Sequence, residues 1–149
     1  MKIVVISDSH GNIDVLNKVL KDNPDADYYF HLGDSELEAS ELSPFLSIKG
    51  NIDYDYSLPM DRVVDTKYGS IYLTHGHAYS GDVNLIAKAA KMNDCSIALY
   101  GHTHIYLDET MDGIRVINPS SATRSKDGQN SYVIIYLDDK GIDVKRVAL

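Results

Sequence analysis

Five times along this chain a short apolar stretch runs out beside a glycine that neighbours an aspartate, asparagine or histidine. Ile3-Val4-Val5-Ile6 leads into Asp8, His10 and Gly11, Ala26 to Leu32 ends at Gly33-Asp34, and Phe45 to Ile48 ends at Gly50-Asn51. Ser70 to Thr74 meets His75-Gly76-His77, and Ser96 to Tyr100 meets Gly101-His102-Thr103-His104. Near-continuous β-branched or apolar runs such as Ile3 to Ile6 are expected of strands buried on both faces, which requires covering layers on each side. A glycine at each exit lets the chain turn sharply off the strand. In open α/β sheets ligands bind beyond the carboxyl ends of strands, so donors this far apart in sequence can meet in space.

The intervening segments supply the covering layers. Ile13, Leu16, Val19 and Leu20 recur at helical spacing before Pro24, and Val83, Ile86, Ala87 and Ala90 do so after Asp82. Glu36 to Leu42 predicts a short helix before Pro44. Arg62 to Thr66 and Ser70 to Thr74 flank Tyr68-Gly69 as a hairpin. Asp112-Gly113 joins Ile105–Glu109 to Ile114–Ile117, and Lys140-Gly141 joins Tyr132–Leu137 to Ile142–Val147. The front half therefore reads as βαβ units and the back half as antiparallel β. Two packed sheets flanked by helices, an α/β fold, reconcile the halves. With no repeat or linker, residues 1–149 read as a single domain.

A net charge of −8 argues against a surface that tracks nucleic-acid phosphates, and the longest apolar runs are too short to cross a bilayer. The start does not read as a secretory leader, and the one cysteine, Cys95, can form no internal bridge. A cytoplasmic protein is the expectation, with neither membrane nor extended nucleic-acid partner. Eleven tyrosines are present, and Tyr54, Tyr56 and Tyr79 lie near the donor blocks. Packing of loop tyrosines on the surface is the plain reading of them, and a cleft or interface the alternative. Homo-oligomerisation is left open.

The candidate metal ligands are Asp8, His10, Asp34, Asn51, His75, His102 and His104. Carboxylate, amide oxygen and imidazole suit manganese, iron(II), nickel, zinc or magnesium, with no thiolate in the set. Singly, an Asp-x-His, a His-x-His or a Gly-Asp is more often a surface pair or a turn; the combination carries the signal. Seven donors exceed the needs of one catalytic zinc and match two ions ~3.5–4 Å apart sharing a carboxylate. His31, inside a strand, reads as a packed or hydrogen-bonded residue, and Cys95 as inert core. Neither a Gly-x-Ser-x-Gly elbow nor a P-loop occurs.

The blocks Ser7-Asp8-Ser9-His10-Gly11-Asn12, His31-Leu32-Gly33-Asp34, Gly50-Asn51-Ile52-Asp53, Thr74-His75-Gly76-His77 and Gly101-His102-Thr103-His104 resemble those of the calcineurin-like metallophosphoesterases. With the short length and Ile117-Asn118-Pro119-Ser120-Ser121, the chain looks like the YfcE-type phosphodiesterase branch. The resemblance spans essentially the whole chain. It implies a four-layer α/β/β/α sandwich and hydrolysis of small phosphate esters, diesters above all, by a hydroxide activated at a dinuclear centre, manganese first. It also implies a division of ligands: Asp8, His10 and His104 on one ion, Asn51, His75 and His102 on the other, and Asp34 bridging.

Two departures bear on chemistry. Ile52 stands where many relatives carry a histidine that assists the leaving group, so that acid is missing, as it commonly is in the YfcE-type branch. His77 is the weak catalytic candidate that remains, or else it orients a ligand. Asn118-Pro119-Ser120-Ser121 replaces the family's Asn-Pro-Gly-Ser, a change near the site that is expected to touch no ligand. Asn12 could contact a phosphate oxygen or cap the helix that follows. The competing readings are a phosphomonoesterase, a scaffold without catalysis (as in the retromer subunit of this fold) and a one-metal hydrolase of another ester class. Scaffolds tend to lose ligands, whereas here all seven positions carry competent donors.

Overall fold

The computed structural model describes residues 1–149. Its elements are β1 (Lys2–Ile6), α1 (Ile13–Asp22), β2 (Tyr28–His31), β3 (Leu46–Ser47), β4 (Asp61–Thr66), β5 (Gly69–Thr74) and α2 (Val83–Met92), followed by β6 (Ile97–Leu99), β7 (Tyr106–Met111), β8 (Ile114–Pro119), β9 (Ser131–Asp138) and β10 (Gly141–Ala148). One five-stranded sheet runs β10-β9-β1-β2-β3 and the other β4-β5-β6-β8-β7.

Strand alternation explains the four layers. In β1, Ile3 and Val5 enter the core between the sheets, while Val4 and Ile6 pack with Leu16 and Val19 of α1. In the second sheet Ile71, Leu73, Ile97 and Leu99 face the same central core, and Tyr72 and Ala98 meet Ile86, Ala87 and Ala90 of α2. Both faces of β1 from Ile3 to Ile6 are thus buried, which is why this run shows no polar alternation. Asn12 caps α1 by accepting the Val15 N–H at 3.1 Å, and Asp82 caps α2 by accepting from Asn84. No helix is long and apolar enough to cross a membrane.

The back half is not wholly antiparallel. β6 pairs in parallel with both β5 and β8: the α2 crossover carries the chain from β5 to β6, and β7, at the sheet edge beyond β8, carries it from β6 to β8. β9 and β10 leave the second sheet altogether and extend the first, β9 lying antiparallel to β1. The helix expected over Glu36–Leu42 shrinks to one 3₁₀ turn, Ala39–Glu41, closed by reciprocal bonds between Glu38 and Glu41. β1, β2 and β3 are mutually parallel, as are β5, β6 and β8, so the donor-bearing loops leave each sheet from strand ends that share one side.

Candidate metal centre

The structure draws all seven predicted donors together, the loops after β1, β2 and β3 meeting those after β5 and β6. Asp8, His10 and His104 form one cluster and Asp34, His75 and His102 another, the donor atoms in each lying within 4.8 Å of one another. His104 Nε2 lies 3.1 Å from Asp8 Oδ1 and 3.4 Å from His10 Nε2. His75 Nε2 lies 3.1 Å from Asp34 Oδ2 and 3.0 Å from Asn51 Oδ1, and His102 Nδ1 lies 3.2 Å from the same amide oxygen. The clusters adjoin, with Asp8 Oδ1 3.9 Å from His75 Nε2.

The outer ring nitrogens show what the inner ones are for. His75 Nδ1 donates to the Leu32 carbonyl at 2.6 Å, His104 Nδ1 to the Arg124 carbonyl at 2.8 Å, and His10 Nδ1 to Glu36 Oε1 at 2.8 Å. In a neutral imidazole a proton on Nδ1 leaves a lone pair on Nε2. Three Nε2 atoms therefore point inward at one another and at carboxylate and amide oxygens, where a proton or a cation must sit between nitrogen and oxygen. An enclosure lined by acceptors needs a cation, and this donor set fits divalent ions.

The carboxylates and imidazoles set one another's proton affinity as they would a cation's. Burial would raise the Asp8 carboxyl, but the hydrogen bond from His104, then the His75 charge and the Ser7 hydroxyl hold it below its usual range. Burial likewise works against Asp34, which His75 and the Ile52 N–H hold low. The His75 imidazole is raised despite burial, by Asp34 and then Asp8, and His104 is raised first by its bond to Asp8. Burial lowers His102 and His77, with the His75 charge next in importance.

Asp8, His10, Asp34, Glu36, His102 and His104 all have positive φ, between 49° and 68°. Left-handed backbone is uncommon outside glycine, and its concentration here is typical of functional loops that are held by their surroundings. Two glycines are required by close approach. A Cβ on Gly33 (φ +97°) would sit 2.7 Å from His75 Nδ1, and one on Gly50 would collide with the Asp34 carboxylate and N–H.

Several supporting residues escaped the sequence reading. Asp53, 4% exposed, accepts the N–H groups of Asp34 and Gly50 at 2.7 Å and of Glu36 at 2.8 Å, pinning the second donor loop to the third. The Asn-Pro-Ser-Ser block reaches the ligand backbone after all: Ser121 Oγ donates to the Asp8 carbonyl at 2.8 Å and Ser120 Oγ to the His104 carbonyl at 2.9 Å. The signal for Asp53 and for these serines was present as motif membership; the bonds run between loops and have no periodicity.

The other singled-out residues are placed as follows. His31 is fully buried, bonded through Nε2 to Ser9 Oγ at 2.8 Å and accepting the Gly33 N–H at Nδ1, and burial lowers it to about 4. Cys95 is free and buried, and burial raises its thiol. The His77 ring lies 5.4 Å from His75 and 6.2 Å from His102, its Nδ1 buried without a partner. Asn12 is committed through its oxygen to the α1 cap. Ile52 is 46% exposed, its N–H donating to Asp34 Oδ1 at 3.1 Å. Tyr54 and Tyr56 are exposed, with Lys49 over the Tyr56 ring, whereas Tyr79 bonds Tyr72.

Comparison with known proteins gives the same answer from outside the geometry. The family model of the calcineurin-like phosphoesterase superfamily domain matches residues 1–140. The chain is 30% identical over 152 residues to the probable metallophosphoesterase YsnB of Bacillus subtilis, covering 97% of this chain and 89% of that one. It is 26% identical over 158 residues to the phosphodiesterase YfcE of Escherichia coli, covering 86% and 83%. A crystal structure of a conserved Streptococcus pneumoniae protein, described as a predicted phosphoesterase, superposes with a TM-score of 0.90 at 28% identity, covering 99% and 88%. A four-layer frame and a match over nearly its full length make this chain a member of the calcineurin-like phosphoesterase superfamily.

Proposed function

We propose that this phosphoesterase is a phosphodiesterase acting on small phosphate esters at a dinuclear centre, manganese being the first choice of ion and Fe2+, Zn2+, Ni2+ or Mg2+ the alternatives. The acceptor-lined enclosure supports the reading most directly: three imidazoles have committed their outer nitrogens and turn lone pairs toward carboxylates. Asp8, His10 and His104 would hold one ion, Asn51, His75 and His102 the other, and Asp34 both. Such a pair supplies an acidified water and neutralises charge on the phosphoryl oxygens.

The remaining work falls to the chain. Asp53 and the glycine pair keep the two loops in register, and Ser120 and Ser121 fix the backbone under Asp8 and His104. Nothing at Ile52 can give a proton to a departing oxygen, so esters with good leaving groups, such as aryl diesters, are the favoured substrates. His77, whose Nδ1 is buried and unpartnered, is the weak candidate to assist, with orienting a neighbouring donor as its alternative role. Preference for diesters over monoesters is supported by YfcE, the relative named a phosphodiesterase. A reducing compartment, the cytoplasm, suits the single free Cys95.

Elemental analysis and turnover assays on aryl diesters and monoesters, with several added metals, test this together. The expected result is two ions per chain and diester hydrolysis. Asp34→Ala should lose both ions; loss of one alone would remove the bridge, and a metal-loaded protein that turns over neither ester would sink the enzyme reading.

A further inference from the structure

The two halves of the centre are supported unequally. Behind His75 and His104 stand main-chain carbonyls, those of Leu32 and Arg124. Behind His10 stands the Glu36 carboxylate, 2.8 Å from Nδ1, with the His10 side chain 4% exposed and Glu36 36% exposed. Glu36 is fixed at both ends. Its backbone is left-handed (φ 54°), its N–H is held by Asp53 at 2.8 Å, and its side chain lies on His10. A carboxylate behind a ligating histidine sets the tautomer, aims the ring and makes the metal-facing nitrogen more basic.

Charge compounds this difference. Each cluster holds one carboxylate, Asp8 beside His10 and His104 and Asp34 beside His75 and His102, and Glu36 adds a second directly behind His10. Behind His75 the partner of Nδ1 is the uncharged Leu32 carbonyl, so that cluster has no second carboxylate of this kind.

We propose that Glu36 is a positioning residue that holds His10 in the Nδ1–H tautomer and makes the Asp8–His10–His104 side the first of the two to take up a cation. This rests on the two-ion reading above. Glu36 touches neither substrate nor ion; it acts through the imidazole. Because the supports of His75 and His104 are backbone carbonyls, Glu36 is the one of the three that a substitution can remove.

The test is a Zn2+ titration of metal-free protein labelled with 15N-histidine, read by NMR together with calorimetry, comparing wild type, Glu36→Ala and Glu36→Gln. In the wild type, His10 should show a protonated Nδ1 before metal is added, and the His10 and His104 nitrogens should shift with the first equivalent. Glu36→Ala should mix the His10 tautomers and weaken the first binding step by ~10–100-fold while leaving the second within a few fold. Glu36→Gln, whose amide oxygen still accepts the Nδ1–H without the charge, should keep the tautomer and fall between. An Nε2–H tautomer in the wild type, first uptake at His75 and His102, or unchanged isotherms in Glu36→Ala would each overturn the proposal. Should Glu36→Ala fail to fold, the wild-type tautomer and loading order with the Glu36→Gln isotherm decide. Failure of the two-ion reading is distinguishable: the wild type would then bind one equivalent or none, before any variant is compared.

Discussion

Three main-chain N–H groups from two loops converge on the carboxylate of Asp53. Removing it would strand those buried donors at about 1–3 kcal/mol each. Asp53→Ala should therefore lower stability by about 3 kcal/mol or more in urea unfolding and abolish tight metal uptake, since Asp34 would lose its anchor. His31 makes a second prediction at this scale. Its folded value of about 4 lies below the unfolded 6.5, so its contribution is complete above pH 6.5 and is lost as pH falls toward 4. His31→Gln, neutral throughout, should flatten the pH dependence of unfolding free energy over that window by about 3 kcal/mol relative to wild type. The seven donors were legible because residue type and neighbouring glycine are local properties. Asp53 and Glu36 were not, because the bonds from Asp34 and Glu36 to Asp53 and from His10 to Glu36 span 17 to 26 residues across loops.

At the scale of elements, what could be read was the strand exits, the hairpin turns and the helix starts. Asn12 illustrates a choice that sequence left open and geometry narrows: its oxygen closes the first turn of α1. Asn12→Ala should cost about 1 kcal/mol of stability. Asn12→Asp, which keeps the cap and removes the amide donor, should restore stability and leave KM for an aryl diester unchanged; a raised KM would instead assign the amide to substrate. Pairing partners were less legible. Nothing in the run Ser96 to Tyr100 states that β6 lies between two parallel neighbours, because a short, fully apolar strand looks alike in either orientation. β3 was overestimated for a related reason: the apolar residues of Phe45 to Ile48 are used for burial, while only Leu46 and Ser47 pair with β2.

For the whole molecule, the four layers followed from strands buried on both faces, but the return of β9 and β10 to the first sheet is a long-range matter that no local pattern records. The centre joins the two sheets and gathers the carboxylates of Asp8 and Asp34, with Glu36 and Asp53 behind them. Ions that bind only the folded chain stabilise it by mass action, about 2.7 kcal/mol for each site at a hundredfold excess over Kd. Thermal unfolding of the wild type should rise by ~10–20 °C when such an excess of manganese is added to chelator-treated protein, and Asp34→Ala should show less than half of that rise.

The origin of the donors on opposite sheets has one more consequence. Asp8, His10, Asp34 and Asn51 follow strands of one sheet, and His75, His102 and His104 follow strands of the other. One residue of strand is ~3.3 Å long, whereas metal–ligand distances tolerate only ~0.2 Å. A chain whose sheets packed one step out of alignment would keep much of its apolar core yet capture no ion. Ion capture would therefore proofread the fold: a misassembled copy is silent and leaves the esters around it intact.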